Sequence, residues 1–232
     1  MTHLDIDRRR LLSGVTLAAA AAAASGVQAQ SATAAPSAFT PQPLPFDLKG
    51  VPGLSERLLV SHHDNNYVGA VKRLGAIRGE FAKLDPASAP GFAINGLKRE
   101  ELVAWNSMIL HEIYFDGLAG GVAPSRDLAQ AVERDFGSMD RWAAEFSGMG
   151  KALGGGSGWV LLTWSPRDRR LVNTWASDHT QTLAGGTPLV ALDMYEHAYQ
   201  MDYGAKAGAY VDAVMKVLSW RSANEAFRRA HA

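Results

Sequence analysis

Between Leu54 and Ile77 the apolar side chains Leu54, Leu58, Leu59, Val68, Val71, Leu74 and Ile77 recur mainly at threes and fours. That spacing marks one face of an α-helix. It predicts a helix from Leu54 to about Phe81 that stops before Asp85-Pro86, because a residue ahead of proline resists the helical conformation. Leu102, Trp105, Ile109, Ile113 and Phe115 predict a second helix from about Lys98 to Leu118, ended by Gly120-Gly121. Two long helices joined by a modest connection make an antiparallel hairpin. Leu128 to Phe136 and Met139 to Gly148 read as shorter helices. After the Gly154-Gly155-Gly156-Ser157-Gly158 break come three short strand-like runs: Trp159 to Trp164, Leu171 to Trp175 and Pro188 to Leu192. Tyr195 to Gly204 and Ala209 to about His231 finish the chain as helices. The expectation is an α+β fold, with an N-terminal antiparallel helical hairpin (46–122) and a C-terminal α/β domain with a three-stranded antiparallel sheet (123–232).

Composition changes the picture mainly at the start. The 47% hydrophobic content and 20% charge describe an ordinary globular chain, and zero formal charge gives no pull toward nucleic acid. Residues 1–29 differ: Arg8-Arg9-Arg10-Leu11-Leu12 leads into an alanine-rich run that closes on Val27-Gln28-Ala29, a small-residue cleavage pattern. This segment is expected to be an export signal. Its arginines and leucines resemble the bacterial twin-arginine signal, which carries folded proteins out; an ordinary secretory signal is the alternative. A membrane anchor is not expected, since the run is weakly hydrophobic and short. Losing residues 1–29 removes three Arg and two Asp and leaves 20 basic and 21 acidic side chains, so no strong long-range field follows. Residues 30–45, rich in Ser, Ala, Thr and Pro, are expected to form a flexible linker. The chain has no cysteine, which excludes thiolate ligands, cysteine nucleophiles and lipid anchoring through a thiol.

The candidate chemistry lies after the third strand. Asp193 and His197 place a hard oxygen and a borderline nitrogen ligand on one side of a helix start, half of a first-row metal site. Alone, such a pair is more often a helix cap and a surface or satisfied core histidine. His62 and His111, on the two helices of the hairpin, could complete a shell of three imidazoles and one carboxylate. The glycine run is no phosphate loop, because it lacks the Lys-Ser/Thr ending and precedes a strand.

Around these residues the chain resembles the iron/manganese superoxide dismutase family. Asp193-Met194-Tyr195-Glu196-His197-Ala198-Tyr199 is similar to the family's Asp-x-Trp-Glu-His-Ala-Tyr, with Tyr195 in place of Trp. His111-Glu112-Ile113-Tyr114-Phe115 resembles its His-x-x-Tyr-Trp, and Gly156-Ser157-Gly158-Trp159 its Gly-Ser-Gly-Trp. The resemblance covers roughly residues 43–229. It implies one iron or manganese ion per subunit held by His62, His111, Asp193 and His197, with superoxide as substrate. It also implies a homodimer, with Glu196 reaching the partner's ligand histidine and Tyr199 at the contact. Trp159, Phe115 and Trp175 are expected to wall the site. Soluble periplasm is the expected address after signal removal.

The chain departs from the family pattern around the ligands. Asn66 and Ala70 fall where a gating His and a Tyr are usual, and Asn65 where a steering Lys is usual. The two positions that supply a Gln beside the metal-bound solvent align to Ser107 and Ser177. His179 or Gln181 could take that place, and His179 is favoured because imidazole can also donate. Tyr67 and His63 are candidate replacements for the gating pair, and Lys206 is the candidate steering cation. The departures also motivate an alternative, a non-catalytic metal-binding member of the same fold.

Overall fold

The computed structural model describes residues 40–118 and 120–231. The segment expected to be an export signal, and residues 30–39 of the expected linker, lie outside the described residues. Ser55 opens the first helix, its hydroxyl accepting from Leu58 N at 3.1 Å. An N-cap serine satisfies one of the amides that the first turn leaves unpaired. The helical run that follows is continuous but not uniform. It consists of α1 (Glu56–Ser61), a π turn (His62–Tyr67) and α2 (Val68–Phe81), with Val68 N bonding back to His63 O. Leu58, Leu59, Val71 and Leu74 fill its buried face, and each such leucine cut to alanine would cost about 2–5 kcal/mol.

α3 (Gly91–Gly117) starts seven residues earlier than the expected Lys98, directly after Pro90. Gly91, Asn95 and Gly96 are weak helix formers that hide this first stretch in the sequence. The first helical run and α3 are antiparallel, since Arg78 pairs with Glu101 and, eleven residues earlier on the run, Tyr67 bonds Glu112, eleven residues later on α3.

α4 (Arg126–Phe136) and α5 (Met139–Ala152) are each opened by a serine cap, Ser125 and Ser138. The sheet has the order β2-β1-β3, from β1 (Trp159–Ser165), β2 (Arg170–Ala176) and β3 (Thr187–Asp193), all pairs antiparallel. Every residue of β1 is buried. Successive strand residues face opposite sides, so both faces of the central strand are covered. That accounts for its unbroken apolar run. Gly158 enters β1 at φ +135°, and a Cβ there would lie 2.1 Å from Ala176 O; only glycine fits. β3 is an edge strand, which tolerates Pro188 and a bulge opposite Leu162 and Thr163.

Beyond β3 the expected helix from Tyr195 to Gly204 is replaced by a 3₁₀ turn (Glu196–Ala198) and a single turn, α6 (Gln200–Tyr203). The expected last helix is two, α7 (Ala207–Val217) and α8 (Arg221–Ala230). The break has a cause: Ser219 N bonds Gly117 O and Trp220 N bonds Val122 O, tying the chain to the end of α3. Both α3 and α8 pack on β3. No helix among the described residues is long and apolar enough to cross a membrane.

Candidate metal centre

Four elements deliver one side chain each to a single point. His62 begins the π turn, His111 lies on the buried face of α3, Asp193 closes β3, and His197 sits in the 3₁₀ turn. Their ligand atoms all lie within 4.8 Å of one another. Asp193 Oδ2 is the common neighbour, 3.1 Å from His62 Nε2, 3.2 Å from His197 Nε2 and 3.5 Å from His111 Nε2.

The surroundings fix the orientation of these groups. His111 Nδ1 donates to Ser107 O at 2.6 Å. A carbonyl only accepts, so Nδ1 carries the proton and Nε2 keeps its lone pair. That Nε2 is buried and has no hydrogen-bond partner, as is His62 Nδ1. Asp193 Oδ1 accepts from Tyr195 N at 2.8 Å, and its main-chain carbonyl accepts from Tyr210 at 2.8 Å, leaving Oδ2 for the three rings.

Burial drives the His111 pKa down to about 3 and lowers that of His62 as well, so both rings are neutral at ordinary pH. Burial alone would raise Asp193; the field of His197 and hydrogen bonds with His197 and His62 overcome it and hold the carboxyl below its usual range. Neutral imidazoles with one ionised carboxylate are a donor set for a first-row transition ion. A buried imidazole lone pair with nothing to accept is the observation that makes a cation fit here.

Aromatic rings enclose the cluster. Phe115 packs on His62 with centroids 5.0 Å apart, and Trp159 meets His111 edge-on at 5.2 Å. Trp159 Nε1 donates to His179 Nδ1 at 3.0 Å. Since an indole N–H only donates, neutral His179 carries its proton on Nε2. Burial lowers the His179 pKa and favours that neutral form. Tyr195 lies between two imidazoles, 4.8 Å from His179 and 5.3 Å from His197, with both interplanar angles near 14° (13° and 14°). Sequence reasoning assigned Tyr195 no role; its place between two histidine-bearing segments was the available signal.

A cavity of about 300 Å³ reaches His111 and His197 from solvent, lined by Asn66, Ala70, Arg73, Ser107 and His179 among others. Several expected residues are elsewhere. Tyr67 is buried on the other side of Phe115, its hydroxyl donating to Glu112 Oε1 at 2.9 Å and accepting from Gln42 N at 2.8 Å. Its position, five residues after His62, turns it to a second cavity of about 130 Å³ shared with His63, Glu112 and Asp116. His63 bonds Asp64 and Gln42 O there, so the expected linker is pinned at Gln42. Gln181 is exposed and folds back on its own loop, Oε1 accepting from Ser177 N at 2.9 Å and Ser177 Oγ at 3.1 Å. Lys206 precedes α7 and does not line the large cavity. Trp175 is 56% exposed on β2 and walls nothing at the cluster. Glu196 is exposed beside His197, and Tyr199 is buried, its hydroxyl 3.4 Å from Gly155 N. Arg73 was missed, although His62, Asn66, Ala70 and Arg73 share the spacing of one helix face.

Comparison with known proteins agrees with this geometry. Residues 124–226 match the family described as iron/manganese superoxide dismutases, C-terminal domain. The chain is 64% identical over 189 residues to a superoxide dismutase [Fe] of Cupriavidus metallidurans, covering 82% of this chain and 96% of the relative. It is 34% identical over 196 residues to a superoxide dismutase [Mn] 1 of Halobacterium salinarum, covering 81% and 94%. A superoxide dismutase [Fe] of Aquifex aeolicus is 32% identical over 186 residues, covering 77% and 86%. With the ligand cluster assembled from both halves of the fold, these matches place the chain in the iron/manganese superoxide dismutase family.

Proposed function

We propose that the protein is an exported superoxide dismutase that converts two superoxide anions and two protons to oxygen and hydrogen peroxide at one iron or manganese ion per subunit. The observation that carries this is the convergence of His62, His111 and His197 on Asp193 Oδ2, with His111 Nε2 buried and unpartnered. An ion held by His62, His111, Asp193 and His197 would supply the one-electron exchange that dismutation requires. The protein does the rest. Ser107 O orients His111, Tyr195 N and Tyr210 orient Asp193, and Phe115 and Trp159 pack against His62 and His111 outside the lining of the open cavity. His179 is the group we assign to the role a Gln plays in the family. Its Nε2–H, fixed by Trp159, lines the cavity as a donor to a bound anion or solvent, and Ser107 Oγ is the other hydroxyl or N–H donor we place there.

Iron is the metal in the name of the Cupriavidus metallidurans relative at 64% identity, and manganese in that of the Halobacterium salinarum one at 34%. The test is metal analysis followed by dismutation assays after loading each metal separately. Turnover with about one ion per chain is expected. Stoichiometric metal without turnover would overturn the enzyme reading in favour of a non-catalytic metal-binding member.

Two parts of the proposal rest on sequence. Arg8-Arg9-Arg10-Leu11-Leu12, the alanine-rich run and Val27-Gln28-Ala29 support twin-arginine export to the periplasm with cleavage near Ala29. N-terminal sequencing of the secreted protein tests this. Glu196, adjacent to the ligand His197 in the chain, supports a homodimer contact to the partner's metal site; monomers at micromolar concentration in sedimentation runs would overturn it.

A further inference from the structure

We infer that Arg73 is the cation that draws the anionic substrate into the funnel, and that this funnel selects its occupant by charge instead of by size. The inference rests on the dismutase reading.

Arg73 lies on the same face of the first helical run as His62, Asn66 and Ala70, three turns beyond the ligand. It lines the cavity that ends at His111 and His197. Its side chain is 55% exposed, which places the guanidinium at the mouth and not at the ligands. The residues lining this cavity include no carboxylate, no lysine and no other arginine. Among the described residues, Arg73 is thus the one permanent charge in the lining.

The guanidinium is held but not used up. Glu100 Oε2 takes Nη2, and among the described residues Nε and Nη1 make no other hydrogen bond. A surface ion pair of this kind contributes little stability, so either partner can be changed without unfolding the protein. Glu100 also accepts from Arg99 Nη1 at 3.2 Å. Glu100 therefore partly offsets the positive charge at the mouth.

Size argues for charge as the selector. With Asn66, Ala70 and Ser107 in the lining, the cavity holds about 300 Å³, room for about ten waters at roughly 30 Å³ each. A diatomic anion touches few walls in such a space. Shape cannot confine it, whereas a cation at the mouth of a low-dielectric cleft raises its local concentration. Azide and inorganic phosphate should enter by the same attraction and compete with superoxide.

The test uses Arg73→Gln, Arg73→Glu and Glu100→Gln in the metal-loaded protein, with two readouts. One is kcat/KM for superoxide by pulse radiolysis across ionic strength; the other is azide affinity by optical titration. Arg73→Gln should lower kcat/KM about threefold at low salt, and Arg73→Glu about tenfold, with azide weakened in the same order. Glu100→Gln should move both readouts the other way, by about twofold. Metal content and kcat should stay unchanged, and the differences should vanish near 1 M salt, where screening acts within about 3 Å. Unchanged azide affinity and unchanged salt slope in both Arg73 variants would overturn the inference. So would a loss in Glu100→Gln matching that in Arg73→Gln, since the pair would then act as a structural clasp. If the wild type fails to dismutate superoxide but Arg73→Glu still weakens azide, the steering role stands and the dismutase reading falls.

Discussion

The metal cluster and the funnel that opens onto it share residues of α3, yet they are held very differently. Three of the four ligands at the cluster are fixed by a second group, His111 by Ser107 O, Asp193 by Tyr195 N and Tyr210, and His197 by the stacked Tyr195 ring, while His62 is held by packing on Phe115. In the funnel, Asn66, Ala70 and Ser107 are small and leave open space, and one side chain, His179, is locked in place by Trp159. Holding an ion and handling its substrate are thus separable properties of this fold. The first depends on buried groups that are also part of the core. The second depends on a few side chains facing water, which can change without disturbing the first.

Substitutions on the two sides should separate the properties, and the largest effect belongs to the cluster. Asp193→Ala removes the common neighbour of three imidazoles and should lower metal affinity by well over the roughly 100-fold scale seen for outer partners of ligands, read by metal content after dialysis. If Asp193→Ala keeps stoichiometric metal, the cluster is not the site.

Removing the metal comes next. At metal concentrations about 100 times Kd, chelation should cost about 2.7 kcal/mol of stability, or roughly 5–10 °C in Tm. The chelated protein should also lose stability as pH falls below 6.5. The folded-state pKa values of His62, His111 and His179 are lowered from 6.5, that of His111 to about 3. The unfolded chain therefore binds more protons between those limits, and stability drops across that window. Asp193, depressed below 3.8, loses its contribution only at more acid pH. A chelated protein with a flat Tm from pH 7 to pH 5 would contradict the buried neutral histidines.

On the funnel side, His179→Phe should keep the metal while lowering kcat about 100-fold, the lower end of the range for a positioned proton donor. Trp159→Phe should do less, because it frees the His179 tautomer without removing the ring. Equal metal loss in either variant would erase the distinction between cluster and funnel. The smallest effect is expected at Tyr67→Phe. It removes the hydrogen bonds to Glu112 and Gln42 and should cost about 1 kcal/mol of stability with kcat unchanged, since Tyr67 sits behind Phe115.

The same contrast governs what could be read from the chain. The four ligands were legible because few residue types suit the task and each stands in a patterned element. The strands were legible because β1 is buried on both faces and therefore unbroken in its apolar run. Around the funnel the residue types say less. Tyr67 was a candidate relay on its chemistry, although its spacing of five residues from His62 already argued against it, and its position turns it to the second cavity. Gln181 was plausible as an amide, yet Ser177 claims its oxygen. The break between α7 and α8 was hidden because its cause is tertiary, two backbone bonds to residues 117 and 122.

The π turn over His62–Tyr67 gives the first helical run two phases. A π turn spends an extra residue within a helix, and one residue of α-helix corresponds to about 100° of rotation. The ligand-bearing half and the half that seats Val71, Leu74 and Ile77 in the core are clocked independently of each other. Deleting one residue from this turn would leave a regular helix of sound composition. The protein could then seat its core or aim His62 at Asp193, but not both, and the insertion is what reconciles the two demands.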